Sequence, residues 1–340
     1  MTSSSLSAAT LDAVSLRLKS YGSSLRGQHR EAIQALLEAL EAGLTGQLSP
    51  HYHLSAIDPG IGKTLSVATF LRMWKAEGFT PSSSVLIGLS RLQEIEAYLA
   101  AAGLEREDVG VLTSKQEFNE LGVPNDQHGS APIMFTTQQM IERRTRGKSF
   151  AEASEFHFKG RPRRLRIWDE SLVPARPLVL QMDQLARVLS AVRNKSPEFA
   201  AQIQALITEL WAPDRAERLV VPEGLAEVPR YARHLKDNQV AEAIETLRSL
   251  AGQAVAVVEA GSGDVRIAGA SEALPSDFAP AIILDASGRV RSTYCLWQRA
   301  GGPLRHLPSA TKDYSNLRVH VWERAVGKTA LPTRGLLRIW

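Results

Sequence analysis

The chain has 340 residues, of which 44% are hydrophobic, and its formal net charge at neutral pH is +4. A chain of this length and composition can bury one large core or two smaller ones, which excludes a disordered protein. Its single cysteine, Cys295, excludes a disulfide framework within the chain and a zinc site of the CxxC type. We therefore expect a cytoplasmic protein. The polar first residues and the absence of any run of about eighteen apolar residues predict no membrane partner.

Apolar spacing predicts alternating helices and strands over the first half of the chain. Helices are predicted at residues 11–18, 29–44, 64–76, 93–102 and 138–144, and strands at residues 53–57, 85–89, 109–112, 133–135 and 165–168. Strands that alternate with helices are typical of a parallel sheet covered on both faces. We therefore predict an α/β core domain over residues 51–176, preceded by N-terminal helices in residues 1–50.

The pattern becomes helical after this domain. Helices predicted at residues 182–192, 200–210 and 241–250 indicate a helical insertion over residues 177–252. Two apolar runs, 255–258 and 265–267, are separated by Gly261-Ser262-Gly263-Asp264 and indicate a β-hairpin. Strands predicted at 281–284 and 317–322 would return to the core sheet, so the hairpin and these strands form a last part, residues 253–340.

A glycine-rich segment lies between the first predicted strand and the helix that follows it. It reads Asp58-Pro59-Gly60-Ile61-Gly62-Lys63-Thr64, the end of the G-x-x-x-x-G-K-[ST] pattern of a P-loop, or Walker A motif, with Ile57 where the full pattern has glycine. The glycines let backbone N–H groups approach phosphates, and the helix N-terminus adds partial positive charge. We expect this segment to bind ATP, with Lys63 on the β- and γ-phosphates and the Thr64 hydroxyl on Mg²⁺.

A second Gly-Lys-Thr sequence, at residues 327–329, has no preceding glycines. We do not expect it to bind a nucleotide.

Two adjacent carboxylates end the predicted strand 165–168. They are Asp169 and Glu170, and because side chains alternate along a strand, they point in different directions and suit different tasks. In P-loop enzymes the first carboxylate of such a Walker B segment holds Mg²⁺, and the second is the general base for the attacking water. We expect these roles for Asp169 and Glu170.

The P-loop and the acidic pair together resemble motifs I and II of the first RecA-like lobe of superfamily 2 (DExx-box) helicases and translocases. The resemblance implies a RecA-like P-loop NTPase fold with a mostly parallel sheet, hydrolysis of ATP and a DNA or RNA partner. Ser171 and Leu172, at the third and fourth positions of motif II, differ from the residues of DEAD-box and DEAH-box proteins.

The same resemblance implies roles for other segments. Gln28 resembles the glutamine that contacts adenine, and Ser287, in Asp285-Ala286-Ser287, resembles part of motif III, which couples the γ-phosphate to movement. Segments similar to motifs Ia and Ib touch nucleic-acid phosphates in the family, and their polar residues here are Ser90, Arg91, Thr136 and Thr137.

Basic residues are concentrated between residues 141 and 166. Nine arginines and lysines occur there against three acidic residues. Such a concentration is typical of a surface that follows a phosphate backbone. We therefore expect Arg143, Arg144 and Arg163 to contact nucleic acid.

The sequence lacks the Gln-x-x-Gly-Arg-x-x-Arg motif with which a second lobe supplies an arginine finger. We expect either that the chain is the first part of a longer protein, which the strand-like residues 336–340 favour, or that another lobe or subunit supplies the arginine. Arg289 and Arg291 are alternative charge sensors within the chain.

Two other functions remain open. A P-loop ATPase could act as a loader, a packaging motor or a switch that binds protein partners through the insertion. A nucleotide or sugar kinase is disfavoured because kinases of this type generally lack an adjacent Asp-Glu pair at a strand end.

Overall fold

The computed structural model describes residues 5–227, 237–260 and 264–320. Met1–Ala310 forms one compact unit and Thr311–Trp340 a second. The helices of the first unit are α1 (Leu6–Ser20), α2 (Gly27–Thr45), α3 (Lys63–Ala76), α4 (Gln93–Ala102), α5 (Gln116–Asn119), α6 (Gln138–Arg144), α7 (Met182–Val192), α8 (Pro197–Trp211), α9 (Asn238–Leu250) and α10 (Ser292–Arg299). Its strands are β1 (Tyr52–Ser55), β2 (Val85–Leu89), β3 (Val109–Leu112), β4 (Ile133–Thr137), β5 (His157–Phe158), β6 (Arg161–Pro162), β7 (Leu165–Asp169), β8 (Ala175–Gln181), β9 (Arg218–Val220), β10 (Ala254–Ala260), β11 (Asp264–Glu272), β12 (Ala281–Leu284) and β13 (Leu304–His306).

Seven strands form one sheet in the order β13–β1–β12–β7–β2–β4–β3. Every neighbouring pair in this sheet is parallel. The sheet and the helices between its strands confirm the predicted α/β, RecA-like fold class. All seven strands therefore end at the same edge of the sheet, which is where open α/β proteins bind their ligands.

Side chains of the parallel strands alternate between two apolar layers, as the period of a strand requires. In β2, Val85, Ile87 and Leu89 pack into a core shared with α1 to α4, whereas Leu86 packs on the opposite face. Helix α3 contributes to the first layer through Val67, Phe70, Leu71 and Trp74, which recur at the spacing of one helix face. This spacing is the reason that the sequence predicts the helix.

An insertion separates β7 from β12 along the chain. Its sheet has the order β8–β11–β10–β9, with antiparallel pairs, and its own apolar core includes residues of α7, α8 and α9. The three predicted helices are confirmed, and strands β8 and β9 occur in addition. Strand β8 contains Pro177 and β9 has 3 residues, so neither has the apolar alternation that predicts a strand. Both lie at sheet edges, where proline is tolerated.

The predicted hairpin is confirmed by the antiparallel pair of β10 and β11. Strands β10 and β11 pair with each other and with β9 and β8, so they belong to the insertion's sheet and not to the return toward the core sheet. Strand β12 makes the predicted return, between β1 and β7. The domain boundaries themselves stay a prediction.

The last strand of the core sheet is β13, which pairs with β1. The predicted strand 317–322 is wrong for its described part, residues 317–320, which form no strand. The remainder of that segment, the second Gly-Lys-Thr sequence and residues 336–340 lie outside the described residues. Within the described parts of the chain, every helix is too short or too polar to cross a membrane.

Candidate nucleotide-binding site

Three adjacent strands bring the predicted motifs to one cleft. The P-loop follows β1, Asp169 ends β7, and Asp285 follows β12, which lies between those two strands. The cleft has a volume of about 520 Å³. Its lining residues are Pro59, Gly60, Gly62, Lys63, Thr64, Leu65, Glu94, Asp169, Glu170, Ser171, Leu284, Asp285, Ala286, Ser287 and Arg291.

The P-loop has the backbone that its glycines predict. Gly60 has φ 72° and Gly62 has φ 115°, conformations that residues with a side chain rarely adopt. Gly62 immediately precedes the first turn of α3, whose N–H groups have no partner within the helix. This turn lines the cleft, so these N–H groups are available to an anion there. Ile57 is buried in the apolar core and does not have a positive φ, so its backbone does not require the glycine of the full pattern.

Lys63 hydrogen-bonds to the loop that precedes it. Its Nζ donates to the carbonyl oxygen of Ile57 and, at 3.4 Å, to that of Asp58. Burial lowers the pKa of Lys63, and the carboxylates of Asp169, Asp285 and Asp58 act in the opposite direction. The Lys63 ammonium group therefore has carbonyl and carboxylate oxygens around it. It can donate to a phosphate oxygen in the same way.

Asp58 forms an ion pair with Arg289. The Asp58 side chain is 6% exposed and the Arg289 side chain is 32% exposed, so the ion pair is partly buried. It connects the P-loop to the segment that follows β12. Arg289 is thus held by the P-loop itself. Arg291 lines the cleft instead, and its Nε lies 3.8 Å from Asp285 Oδ2.

Asp169 is mostly buried at the end of β7. Burial raises its pKa to about 6, and the hydrogen bond from Tyr98 opposes this rise. The Tyr98 hydroxyl donates to Asp169 Oδ2 at 2.6 Å, and the Gln138 side-chain amide donates to the Asp169 carbonyl oxygen. Tyr98 thus holds the Asp169 carboxylate, and Gln138 holds the main chain at the same residue.

Glu170 leaves the strand in an unusual conformation. Its φ is 75°, in the left-handed region, and its N–H donates to the carbonyl oxygen of Leu284 at 3.1 Å. Non-glycine residues in this region are uncommon and concentrate at functional sites. The backbone bend leaves Glu170 exposed on the cleft wall, beside the half-buried Asp169.

The Asp285 side chain forms hydrogen bonds within the cleft and, through Tyr294, is linked to Leu172, two residues after Glu170. Its Oδ1 accepts hydrogen bonds from Ser287 N at 2.8 Å and Ser287 Oγ at 2.7 Å. Its Oδ2 accepts from the Tyr294 hydroxyl at 3.0 Å, and that hydroxyl accepts from Leu172 N at 2.9 Å. The predicted residue Ser287 therefore lies in the cleft, in a turn that Asp285 organises.

The oxygen atoms of the cleft fit a magnesium-bound nucleotide. No group of three or more histidine, cysteine, aspartate or glutamate side chains in the described residues could hold a metal ion without other ligands. Mg²⁺ commonly binds through one or two carboxylates together with phosphate oxygens and water. Thr64 and Asp169 offer a hydroxyl and a carboxylate on the same cleft wall, so the donor set suits an ion that arrives with phosphates.

Several predicted residues lie away from this cleft. Gln28 is exposed in the first turn of α2 and does not line the cleft. Ser90 and Arg91 are exposed after β2, at the edge where the parallel strands end. Thr137 caps α6, because its side chain accepts a hydrogen bond from Met140 N at 3.2 Å.

Two of the predicted nucleic-acid contacts are contradicted by burial. Thr136 is fully buried, and its hydroxyl donates to the Leu112 carbonyl oxygen at 2.6 Å. Arg163 is also fully buried, and its guanidinium donates to the carbonyl oxygens of His128, Ala131 and Pro132 at 2.8–2.9 Å. Neither side chain reaches the surface, so neither contacts a nucleic acid in this conformation.

Some of the other basic residues of this segment are buried, and others are exposed at the surface. Arg166 is buried and donates to the carbonyl oxygens of residues 277–279. Arg144 and Lys148 both lie near Glu155, at 3.9 and 3.6 Å. Arg143 and Arg144 are exposed on α6. The exposed positive charge is therefore smaller than the sequence predicts, and part of it is on α6.

Sequence reasoning missed Tyr98, Glu94 and Tyr294. Tyr98 and Glu94 lie on α4, outside every motif, and Tyr98 is one of three buried residues that give this helix its apolar face. An aromatic residue at that spacing predicts packing, and nothing in the sequence distinguishes its hydroxyl as part of a site.

No protein-family model matches the chain, and no curated protein matches it. Among solved structures, S. tokodaii Xpd4 has a TM-score of 0.41 and 13% identity, over 75% of this chain and 57% of that chain. The UvsW helicase from Bacteriophage T4 has a TM-score of 0.30 and 9% identity, over 83% of this chain and 60% of that one. The Sulfolobus solfataricus SWI2/SNF2 ATPase core in complex with dsDNA has a TM-score of 0.26 and 20% identity, over 53% and 30%. The chain thus spans less than two thirds of the length of each. At these TM-scores, the fold assignment rests on the chain's own sheet order.

Proposed function

We propose that this chain is the ATP-binding and hydrolysing lobe of a nucleic-acid helicase or translocase. The observation that carries the proposal is the meeting of the P-loop, the Asp169-Glu170 pair and Asp285 in one cleft, on three adjacent parallel strands. A P-loop that faces two carboxylates on a nearby strand suits phosphate hydrolysis better than phosphate binding alone.

In the proposed site, the loop backbone from Gly60 to Gly62 and Lys63 bind the phosphates. Thr64 and Asp169 hold Mg²⁺, which when bound neutralises charge that develops on the transferred phosphoryl group. Glu170 accepts a proton from the attacking water at its carboxylate, a role supported by its exposure on the cleft wall. In this proposal Ser287, in the turn that Asp285 organises, responds to the γ-phosphate.

The proposed nucleic-acid surface lies at the same edge of the sheet. Ser90 and Arg91 follow β2, and Thr137, Arg143 and Arg144 cap or belong to α6, which follows the neighbouring strand β4. Exposed arginines near the ends of parallel strands suit contacts with a phosphate backbone. The partner in this proposal is DNA or RNA, and a second lobe or subunit supplies the arginine finger.

A second candidate function is favoured by the insertion. Residues 175–272 include a separate antiparallel sheet and a separate apolar core. An insertion of this size, with its own core, suits a protein-binding module. A P-loop ATPase with such a module could act as a loader, a packaging motor or a partner-controlled switch. Nucleic-acid binding distinguishes the two candidates.

The first test is ATP binding by the purified chain with Mg²⁺, measured by titration calorimetry. Lys63→Ala should weaken binding at least roughly tenfold, since it removes a charge-assisted hydrogen bond to phosphate. Lys75→Ala is the matched control, because Lys75 lies at the far end of the same helix and pairs with Asp108. Equal affinities for ATP in the two variants would contradict the proposed P-loop.

A further inference from the structure

One buried hydroxyl group touches the carboxylate that the proposed function assigns to Mg²⁺. Tyr98 lies on α4 and is 2% exposed, and its hydroxyl donates to Asp169 Oδ2 at 2.6 Å. Tyr98 belongs to α4 and Asp169 to β7, so this hydrogen bond connects two elements that are far apart in the sequence.

The direction of this hydrogen bond leaves part of the Asp169 carboxylate available to a cation. A phenol has one proton, and Tyr98 donates it to Asp169. The hydrogen bond uses Oδ2, so Tyr98 does not occupy the other carboxylate oxygen, Oδ1. A metal ligand oriented by a hydrogen bond from a neighbouring residue is the usual arrangement around protein-bound ions.

Packing fixes the position of Tyr98. Ile95, Tyr98 and Ala102 form the buried face of α4, which packs against α3, the helix that begins with Lys63 and Thr64. The Tyr98 ring lies 5.9 Å from the Phe135 ring, between centroids. The hydroxyl is therefore held by the same core that holds the P-loop helix and the parallel sheet.

We propose that Tyr98 is a positioning residue, which holds the Asp169 carboxylate in the position that binds a nucleotide-associated divalent cation. The inference rests on the proposed function, because it needs a cation at the Asp169 carboxylate. It assigns Tyr98 no contact with the nucleotide. Its expected effect is therefore on the requirement for Mg²⁺, and not on the affinity for ATP in the absence of metal.

The test is a Mg²⁺ titration of ATP binding by Tyr98→Phe, which removes the hydroxyl and keeps the ring. The Mg²⁺ concentration at half-saturation should rise roughly tenfold, the effect typical of losing a residue that orients a metal ligand. Binding of ATP in EDTA should equal that of the unmodified chain. Tyr52→Phe is the control, since it removes the hydroxyl of another buried tyrosine, at the opposite end of β1 from the P-loop, and its Mg²⁺ requirement should not change.

Two results would overturn the inference while leaving the proposed function intact. One is an unchanged Mg²⁺ requirement in Tyr98→Phe, and the other is an equal loss of ATP affinity with Mg²⁺ and with EDTA, which indicates a packing role only. Failure of the unmodified chain to bind ATP with Mg²⁺ would instead reject the proposed function, and the inference with it.

A second measurement does not depend on the stability of the phenylalanine variant. With 3-fluorotyrosine at position 98, the fluorine resonance should shift when Mg²⁺ is added to the ATP-bound chain, because Asp169, the hydrogen-bonded neighbour of the hydroxyl, becomes a metal ligand. Fluorotyrosine at position 21, which is exposed at the end of α1, is the reference. A position-98 signal that responds no more than this reference would count against the inference.

Discussion

Arg163 carries its charge inside the protein, where its guanidinium binds main-chain carbonyl groups. It donates to the carbonyl oxygens of His128, Ala131 and Pro132, at the start of β4. Burial lowers its pKa to about 9, which leaves it charged at neutral pH. A buried arginine with several acceptors connects the loop before β4 to the loop before β7, so we regard Arg163 as structural.

Replacing Arg163 should therefore destabilise the protein. Arg163→Met leaves the carbonyl groups of His128 and Ala131 without this donor, and we expect a loss of about 3 kcal/mol or more in the free energy of unfolding. Arg161→Ala is the control, because Arg161 is exposed two residues earlier, and its effect should stay within about 0.5 kcal/mol. Urea unfolding of both variants measures the difference, and similar stabilities would show that Arg163 is not a structural residue.

Asp169, in contrast to Arg163, should lower the free energy of unfolding when its carboxylate is ionised. Burial raises its pKa from 3.8 to about 6, so the folded protein holds this proton more tightly than the unfolded chain does. As the pH rises from 3.8 to about 6, the ionised carboxylate destabilises the folded state progressively, and above about 6 the whole effect is present. Its size is roughly 3 kcal/mol at most.

Asp169→Asn should accordingly stabilise the nucleotide-free chain at pH 7.5 in EDTA, by up to roughly 3 kcal/mol. The gain should shrink as the pH falls below about 6. Urea unfolding between pH 5 and pH 7.5 measures it, with Asp12→Asn on the exposed face of α1 as the control for the change from carboxylate to amide. A variant that is less stable than the unmodified chain at pH 7.5 would rule out this account of the carboxylate.

At the scale of elements, the candidate site depends on the order of three strands. Strand β12 lies between β1 and β7, which places Asp285 between the P-loop and Asp169. The sequence predicts each of these strands from its apolar run and each motif from its residues. It does not predict their order, because strand pairing depends on packing between residues that are distant along the chain.

The same limit explains what the sequence missed or mispredicted. Arginines in a polar loop resemble a nucleic-acid surface, and only the tertiary structure shows that Arg163 and Arg166 are buried. Strands β8 and β9 are edge strands with little apolar alternation, and their pairing partners are needed to recognise them. Local patterns therefore predicted the P-loop helix well and predicted long-range contacts poorly.

Helix α6 carries the exposed arginines of the proposed nucleic-acid surface. Arg143→Ala should lower the affinity for duplex DNA and reduce the slope of log affinity against log salt by about 1, as expected for one lost phosphate contact. Arg72→Ala, which removes one exposed charge from the middle of α3, should leave the slope unchanged. Fluorescence anisotropy over a salt series measures both, and equal slopes in the two variants would contradict this placement of the surface.

At the scale of the whole molecule, the unit that ends at Ala310 contains a parallel core sheet and an insertion with its own sheet. The insertion enters the chain between the two acidic segments of the cleft, shortly after Glu170 and before β12. The Tyr294 hydroxyl joins Leu172, at the start of this excursion, to Asp285 in the cleft. A change at the cleft therefore has a direct hydrogen-bonded route to the base of the insertion.

The measurement that tests the central claim most directly is the rate of ATP hydrolysis with Mg²⁺, with and without single-stranded and duplex DNA. The unmodified chain should hydrolyse ATP faster with DNA. Glu170→Gln should still bind ATP but lose at least roughly a hundredfold in rate, because it removes the general base. Lys63→Ala should lose both binding and turnover. A chain that binds ATP but does not hydrolyse it under any of these conditions, or a Glu170→Gln variant as active as the unmodified chain, would contradict the account.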